Sequence, residues 1–186
     1  MSMLSPELDG KRQDILIEAV PGARRIAALA DSNVATPLHL QGLRDAARGH
    51  SVELSVLSVE KLEEVAPAIT KAQLWGANAL NVLASPMLAT AYRTIFAGAA
   101  AARLPAIYQW AEQGDDGGLI AYGPRQTQIY RQRARLLIKV LRGAKPADIP
   151  VEQPTHFELV INLKTAKAIG YEVPAGVVLR ADKVIE

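Results

Sequence analysis

The chain has 186 residues, 49% of them hydrophobic, a net charge of +2 and no cysteine. That apolar content fills the core of one domain with an appendage and excludes global disorder. The missing cysteine excludes disulfides, thiol catalysis and cysteine-ligated metal, and the small net charge makes no case for nucleic acid.

The opening stretch, MSMLSPELDGKRQD, is polar and lacks the apolar centre of a signal segment. The turn pair Pro21-Gly22 then introduces a first strand over Ile26–Ala30. Leu38, Leu43, Ala46 and Ala47 form a helical stripe that stops near Gly49. In Val52–Val59, Val52, Leu54 and Val56 alternate with Glu53 and Ser55, the pattern of a half-buried strand near a sheet edge. Val65, Ile69 and Ala72 belong to the next helix, with Pro67 near its first turn. Leu80–Ala84 is a third strand, Tyr92, Ile95, Phe96 and Ala99 are the apolar face of a helix, and Ala106–Tyr108 is a fourth strand. The alanine-rich run Ala97–Ala102 lies between Arg93 and Arg103 and is far shorter than the roughly 18 apolar residues of a membrane span.

Strand and helix alternate four times, which predicts βαβ units and a parallel sheet with helices on both faces. Phe157–Ile161 supplies a fifth strand after a strap marked by Pro146, Pro150 and Pro154. The expected fold is an α/β, flavodoxin-like open sheet of five parallel strands in the order 2-1-3-4-5. Between Leu119 and Asp148, Tyr130, Ala134, Leu137, Ile138 and Leu141 make a strong helical stripe, and Arg125, Arg131, Arg133, Arg135, Lys139 and Arg142 cluster on the same helix, where they could neutralise phosphates. A band of charge opposite an apolar stripe is the solvated face of an amphipathic helix.

In an open parallel sheet, ligands bind beyond the C-terminal strand ends. The loops there hold Asp31-Ser32-Asn33, Ser85-Pro86 and Gln109-Trp110, and the turn at Tyr122-Gly123 joins them. Trp110 and Tyr122 could stack on a ring, and Asp31 or Glu112 could pair with an amine. Each polar group also has a local use. Asp31-Ser32-Asn33 suits a helix N-cap, and Ser85 before Pro86 suits a cap with proline at the first helical position.

Enzymatic chemistry has little to stand on. His39, His50 and His156 are scattered, with no metal-ligand spacing, and neither a G-x-S-x-G elbow nor a P-loop occurs. Gly114-Asp115-Asp116-Gly117-Gly118 reads as a flexible crossing loop. No cofactor, metal or catalytic residue is expected.

Four segments carry a family resemblance. They are Gly10-Lys11-Arg12 through Leu29, Leu104-Pro105-Ala106-Ile107-Tyr108, the Tyr122-Gly123-Pro124 turn, and the block GAKPADIPVEQPTHFELVINLKTAKAIG from Gly143 to Gly170. These resemble the substrate-binding proteins of ABC transporters typified by the tryptophan-type uptake system, with the two-lobed type I periplasmic binding-protein fold. The resemblance implies that residues 1–117 and 150–186 form the second lobe, and that 118–149 is an excursion belonging to the first. Family members carry a signal and a first lobe ahead of the segment matching Gly10-Lys11-Arg12, so this sequence is expected to be part of such a protein or the product of a shortened gene. The function implied is to hold a small solute such as an amino acid between the lobes and deliver it to an ABC permease, outside the cytoplasm. With the first lobe absent, the Tyr130–Leu141 helix is expected to pair two copies into a homodimer. A stand-alone flavodoxin-like sensing module is the alternative.

Overall fold

In the computed structural model, which describes residues 5–186, one mixed sheet of seven strands runs in the order β2-β1-β3-β4-β5-β6-β7. Met1–Leu4, the beginning of the stretch read as lacking a signal, lie outside the described residues. The strands are β1 (Arg25–Asp31), β2 (Glu53–Val59), β3 (Ala79–Val82), β4 (Ala106–Tyr108), β5 (Ile120–Gly123), β6 (Glu158–Asn162) and β7 (Lys183–Ile185). The helices are α1 (Ser5–Ala19), α2 (Pro37–Gly49), α3 (Val65–Trp75), α4 (Pro86–Thr90), α5 (Tyr92–Ala101), α6 (Ala111–Asp115), α7 (Gln126–Leu141), α8 (Leu163–Ile169) and α9 (Ala175–Val178).

The expected α/β class and the 2-1-3-4 order hold, but the sheet has seven strands, not five. The first five are parallel. β6 contains most of the expected fifth strand, yet it pairs antiparallel with β5, from Ile120 opposite Ile161 to Gly123 opposite Glu158. The reason is where the chain leaves. It exits the sheet at Gly123, passes through α7 and the proline strap, and re-enters at Glu158 beside the exit. A strand that starts where its neighbour stopped must run the other way. β7 then pairs parallel with β6.

Successive side chains point to opposite faces of a strand, so each strand feeds two cores. Ala27 and Leu29 of β1, Leu80 and Val82 of β3 and Tyr108 of β4 pack with Val65, Ile69, Leu88 and Ile95 from α3, α4 and α5. On the other face, Ile26, Ile107, Ile120 and Ile161 pack with Ile15 and Leu16 of α1 and with Ala166, Ile169 and Val177 from α8 and α9. A third cluster joins Ala28 and Ala30 to Leu43 of α2. Each fully buried leucine or isoleucine here contributes roughly 1.5–3 kcal/mol.

Helix α1 has no counterpart in the sequence reading. Its buried face runs Asp9, Arg12, Gln13, Leu16 and Ala19, a regular helical spacing whose first half is polar. An apolar-periodicity search passes over such a face.

Candidate ligand-binding site

The C-terminal ends of β1, β3 and β4 open on a cavity of about 420 Å³. Ser85, Pro86, Gln109 and Trp110 line it from the loops after β3 and β4, with Val34 from the loop after β1. The opposite wall is α7, whose Gln126, Tyr130 and Arg133 share one helical face. That volume lies within the range of small-molecule pockets.

Ser85 is positioned by its neighbours. Its hydroxyl donates to Asp31 Oδ2 at 2.6 Å and accepts from the backbone N–H groups of Met87 and Leu88 at 3.0 and 3.2 Å. It therefore caps α4, and Pro86 occupies the first helical turn. Its carbonyl accepts from Gln109 Nε2 at 3.2 Å, which fixes the buried Gln109 side chain. The Trp110 N–H donates to Gln113 Oε1 at 3.0 Å. The indole Nε1 is buried without an acceptor among the described residues.

The other expected ligand residues lie elsewhere. Asp31 is 4% exposed, and its Oδ1 accepts from the Asn33 backbone N–H at 2.9 Å and from Asn33 Nδ2 at 3.0 Å. Asp31 thus organises the loops from beneath the cavity floor, and the cap of α2 is Thr36. Ser32 Oγ donates to the Val59 carbonyl at 3.3 Å and Asn33 Nδ2 to the Glu60 carbonyl at 3.3 Å, so both join β1 to the end of β2. Tyr122 points to the α1 face, where its ring centroid lies 6.3 Å from that of Phe157, so it does not stack with Trp110 across the cavity. Gly123 permits a close approach. A Cβ built there would lie 1.9 Å from the Gln109 carbonyl oxygen. Glu112 Oε1 sits 3.5 Å from the Thr127 N–H at the start of α7. Neither Asp31 nor Glu112 lines the cavity.

Sequence reasoning missed Gln126, Tyr130 and Arg133. In the sequence pattern Tyr130 belongs to an apolar stripe and Arg133 to a solvated basic band. The available signal was a helix that follows directly on the Gly123-Pro124 turn and so begins beside the strand ends. Arg125, grouped with that band, has a separate task. Its Nε donates to Glu158 Oε2 at 2.6 Å and its Nη1 to Asp115 Oδ2 at 2.8 Å, while Lys183 Nζ lies 2.8 Å from Asp115 Oδ1. Burial works against the charged form of Asp115, but the hydrogen bonds from Lys183 and Arg125 outweigh it and hold the carboxyl below its ordinary range. The network ties α6, the start of α7, β6 and β7 together where the chain leaves and re-enters the sheet. No group of His, Asp and Glu among the described residues is arranged to hold a metal ion.

A profile of the ABC transporter substrate binding protein family matches residues 8–185. The chain belongs to that family. Family members are solute-binding proteins rather than enzymes. Solved structures agree in fold. A Streptococcus pneumonia ABC domain in complex with L-Trp is 22% identical with a TM-score of 0.84, over 100% of this chain and 64% of that one. A conserved domain protein from Vibrio cholerae is 23% identical with a TM-score of 0.86, over 98% of this chain and 61% of that one. A periplasmic solute binding protein from Actinobacillus succinogenes with bound D-allose is 13% identical with a TM-score of 0.61, covering 90% and 62%. These are type I periplasmic binding-protein folds, and the chain spans about three-fifths of their length. No curated protein matches this family member. Among the described residues, no helix is long and apolar enough to cross a membrane.

Proposed function

We propose that this chain is the second lobe of a solute receptor for an ABC importer. It holds a small molecule with an apolar or aromatic part, of the amino-acid class, in the cavity above β1, β3 and β4. The observation that carries this reading is the convergence of Ser85, Gln109 and Trp110 with the α7 face on one pocket at the C-terminal strand ends. That is where the fold places ligands.

The rest of the reading follows from the family. A first lobe closes the cleft from the other side, closure is the signal a permease reads, and the receptor works outside the cytoplasm. The outer half of α7 belongs against that first lobe. Its Leu137 and Leu141 are 59% and 77% exposed, whereas Ile129 near its start is 4% exposed.

A chain with half the contacts should bind weakly. Calorimetry and Trp110 fluorescence, read in a Trp75→Phe background against the common amino acids and sugars, test this. Saturable binding weaker than micromolar, lost in Trp110→Ala, is expected. Silence towards every solute at millimolar concentration would overturn the reading. Sub-micromolar affinity would make this chain a complete binding unit.

A further inference from the structure

The charge on the cavity wall bears on what the cavity accepts. Of the described residues that line it, Arg133 is the only one with a formal charge. Its guanidinium carbon lies 5.8 Å from the centroid of the Tyr130 ring, so the cation rests over an aromatic face that also lines the cavity. A guanidinium held over a ring keeps its fork of N–H donors free for a carboxylate. Neither of the nearby acids lines the cavity. Asp31 accepts from Ser85 and Asn33, and Glu112 of α6 lies 3.5 Å from the Thr127 N–H at the start of α7. The wall therefore offers donors to an anion and no acceptor carboxylate to an ammonium group. Beside that charge, Val34, Ala84, Pro86 and Ala89 are apolar and Trp110 is aromatic.

We infer that Arg133, braced on Tyr130, is the anion anchor of the site, and that this chain recognises a carboxylate on an apolar or aromatic body. Any ammonium group on the ligand is left for the other side of the cleft. This rests on the solute-receptor reading above and deepens it. The chain should sort ligands by whether they carry a carboxylate and be indifferent to whether they carry an amine.

The test is a matched series on one ring. Indole-3-acetate, indole-3-acetamide, tryptamine and tryptophan are titrated into the 186-residue chain carrying Trp75→Phe. Two-dimensional NMR of the Trp110 indole N–H provides the readout, since the probes themselves fluoresce. Indole-3-acetate and tryptophan should each bind about tenfold more tightly than the amide and tryptamine, as one partly exposed charge-assisted pair would give. Arg133→Gln should abolish that gap and Arg133→Lys should keep part of it. The gap should also shrink between about 50 and 500 mM salt, because the guanidinium is exposed. Arg133 is on the surface, so both variants should fold, with thermal melts to check them. Tryptamine binding as well as indole-3-acetate, or a carboxylate preference that survives in Arg133→Gln, overturns the anchor and leaves the receptor reading intact. No response to any of the four, together with silence across the wider solute panel, overturns both.

Discussion

Arg12 Nη1 donates to the carbonyl of Tyr122 at 3.2 Å, joining residues 110 positions apart. The same guanidinium pairs with Asp9, and the two side chains are 1% and 0% exposed. The bond ties α1 to the end of β5, where the chain departs into α7. A buried charge pair of this kind is costly to assemble and more costly to break by halves. Asp9 Oδ2 and Arg12 Nε have no hydrogen-bond partner among the described residues, and the one other ionic group near the pair is His39, whose Nε2 lies 4.0 Å from Asp9 Oδ2.

Arg12→Met should therefore destabilise the chain by about 3–5 kcal/mol, because it strands Asp9 in the interior. The double variant Asp9→Leu with Arg12→Met should recover much of that loss. Urea unfolding of the three proteins measures both effects. An Arg12→Met midpoint equal to that of the parent would show that the pair has no structural part.

Gly123 should tolerate no side chain. The Cβ of an alanine would fall 1.9 Å from the Gln109 carbonyl oxygen, so β5 or the Gln109-Trp110 loop must move. Overpacking against backbone costs about 2 kcal/mol or more. Gly123→Ala should melt at a lower temperature and shift the Trp110 indole N–H resonance before any ligand is added. An unchanged melt and resonance would mean that β5 relaxes away without disturbing the loop.

Much of this fold could be read from the sequence, and the misreadings have physical causes. β1, β3 and β4 show as short apolar runs because a buried parallel sheet needs both faces apolar, and β2 shows by alternation because it is the half-buried edge strand. β5 is not legible because its four residues, Ile120–Gly123, are too few to show a strand pattern so close to Gly117-Gly118. Helix α1 escapes notice because Asp9, Arg12 and Gln13 occupy buried positions that periodicity expects to be apolar. At the site, Ser85, Pro86, Gln109 and Trp110 follow from their position after the strands. Asp31, Ser32 and Asn33 share that position, but hydrogen bonds to Ser85 and the end of β2 turn them away from the cavity. The contribution of α7 is a tertiary fact. It depends on the angle at which the helix leaves Gly123, and local sequence does not encode that angle.

The Asp115 network predicts an acid dependence. The folded-state carboxyl titrates below its ordinary value of about 3.9, so between the two values the unfolded chain binds the extra proton. The stabilisation is complete above about pH 5 and is lost as the pH falls through the folded-state value. With the side chain 27% exposed, about 1 kcal/mol is a fair size after screening. Denaturation curves from pH 6 to 3 should fall more steeply for the parent than for Asp115→Asn, and the two should converge at the acid end. Parallel curves would remove Asp115 from the clamp.

The outer half of α7 predicts self-association, which depends on salt. Tyr130, Leu137, Ile138 and Leu141 are all exposed, and burying a leucine is worth roughly 1.5–3 kcal/mol. Two copies can cover these residues by pairing their helices about a two-fold axis. The same segment carries Arg131, Arg133, Arg135, Lys139 and Arg142 and no acidic residue between Gln126 and Arg142. Pairing it with itself brings like charges together, and salt screens that repulsion over about 10 Å at 0.1 M and about 3 Å at 1 M. Sedimentation should therefore show a dimer that strengthens as salt is raised, the reverse of an interface held by ion pairs. Leu137→Asp should leave a monomer that melts like the parent at concentrations too low for the parent to pair, since the residue is solvent-facing in the single chain. A parent that remains monomeric at high salt and high micromolar concentration would refute the pairing. A dimer that persists in Leu137→Asp would place the interface away from α7.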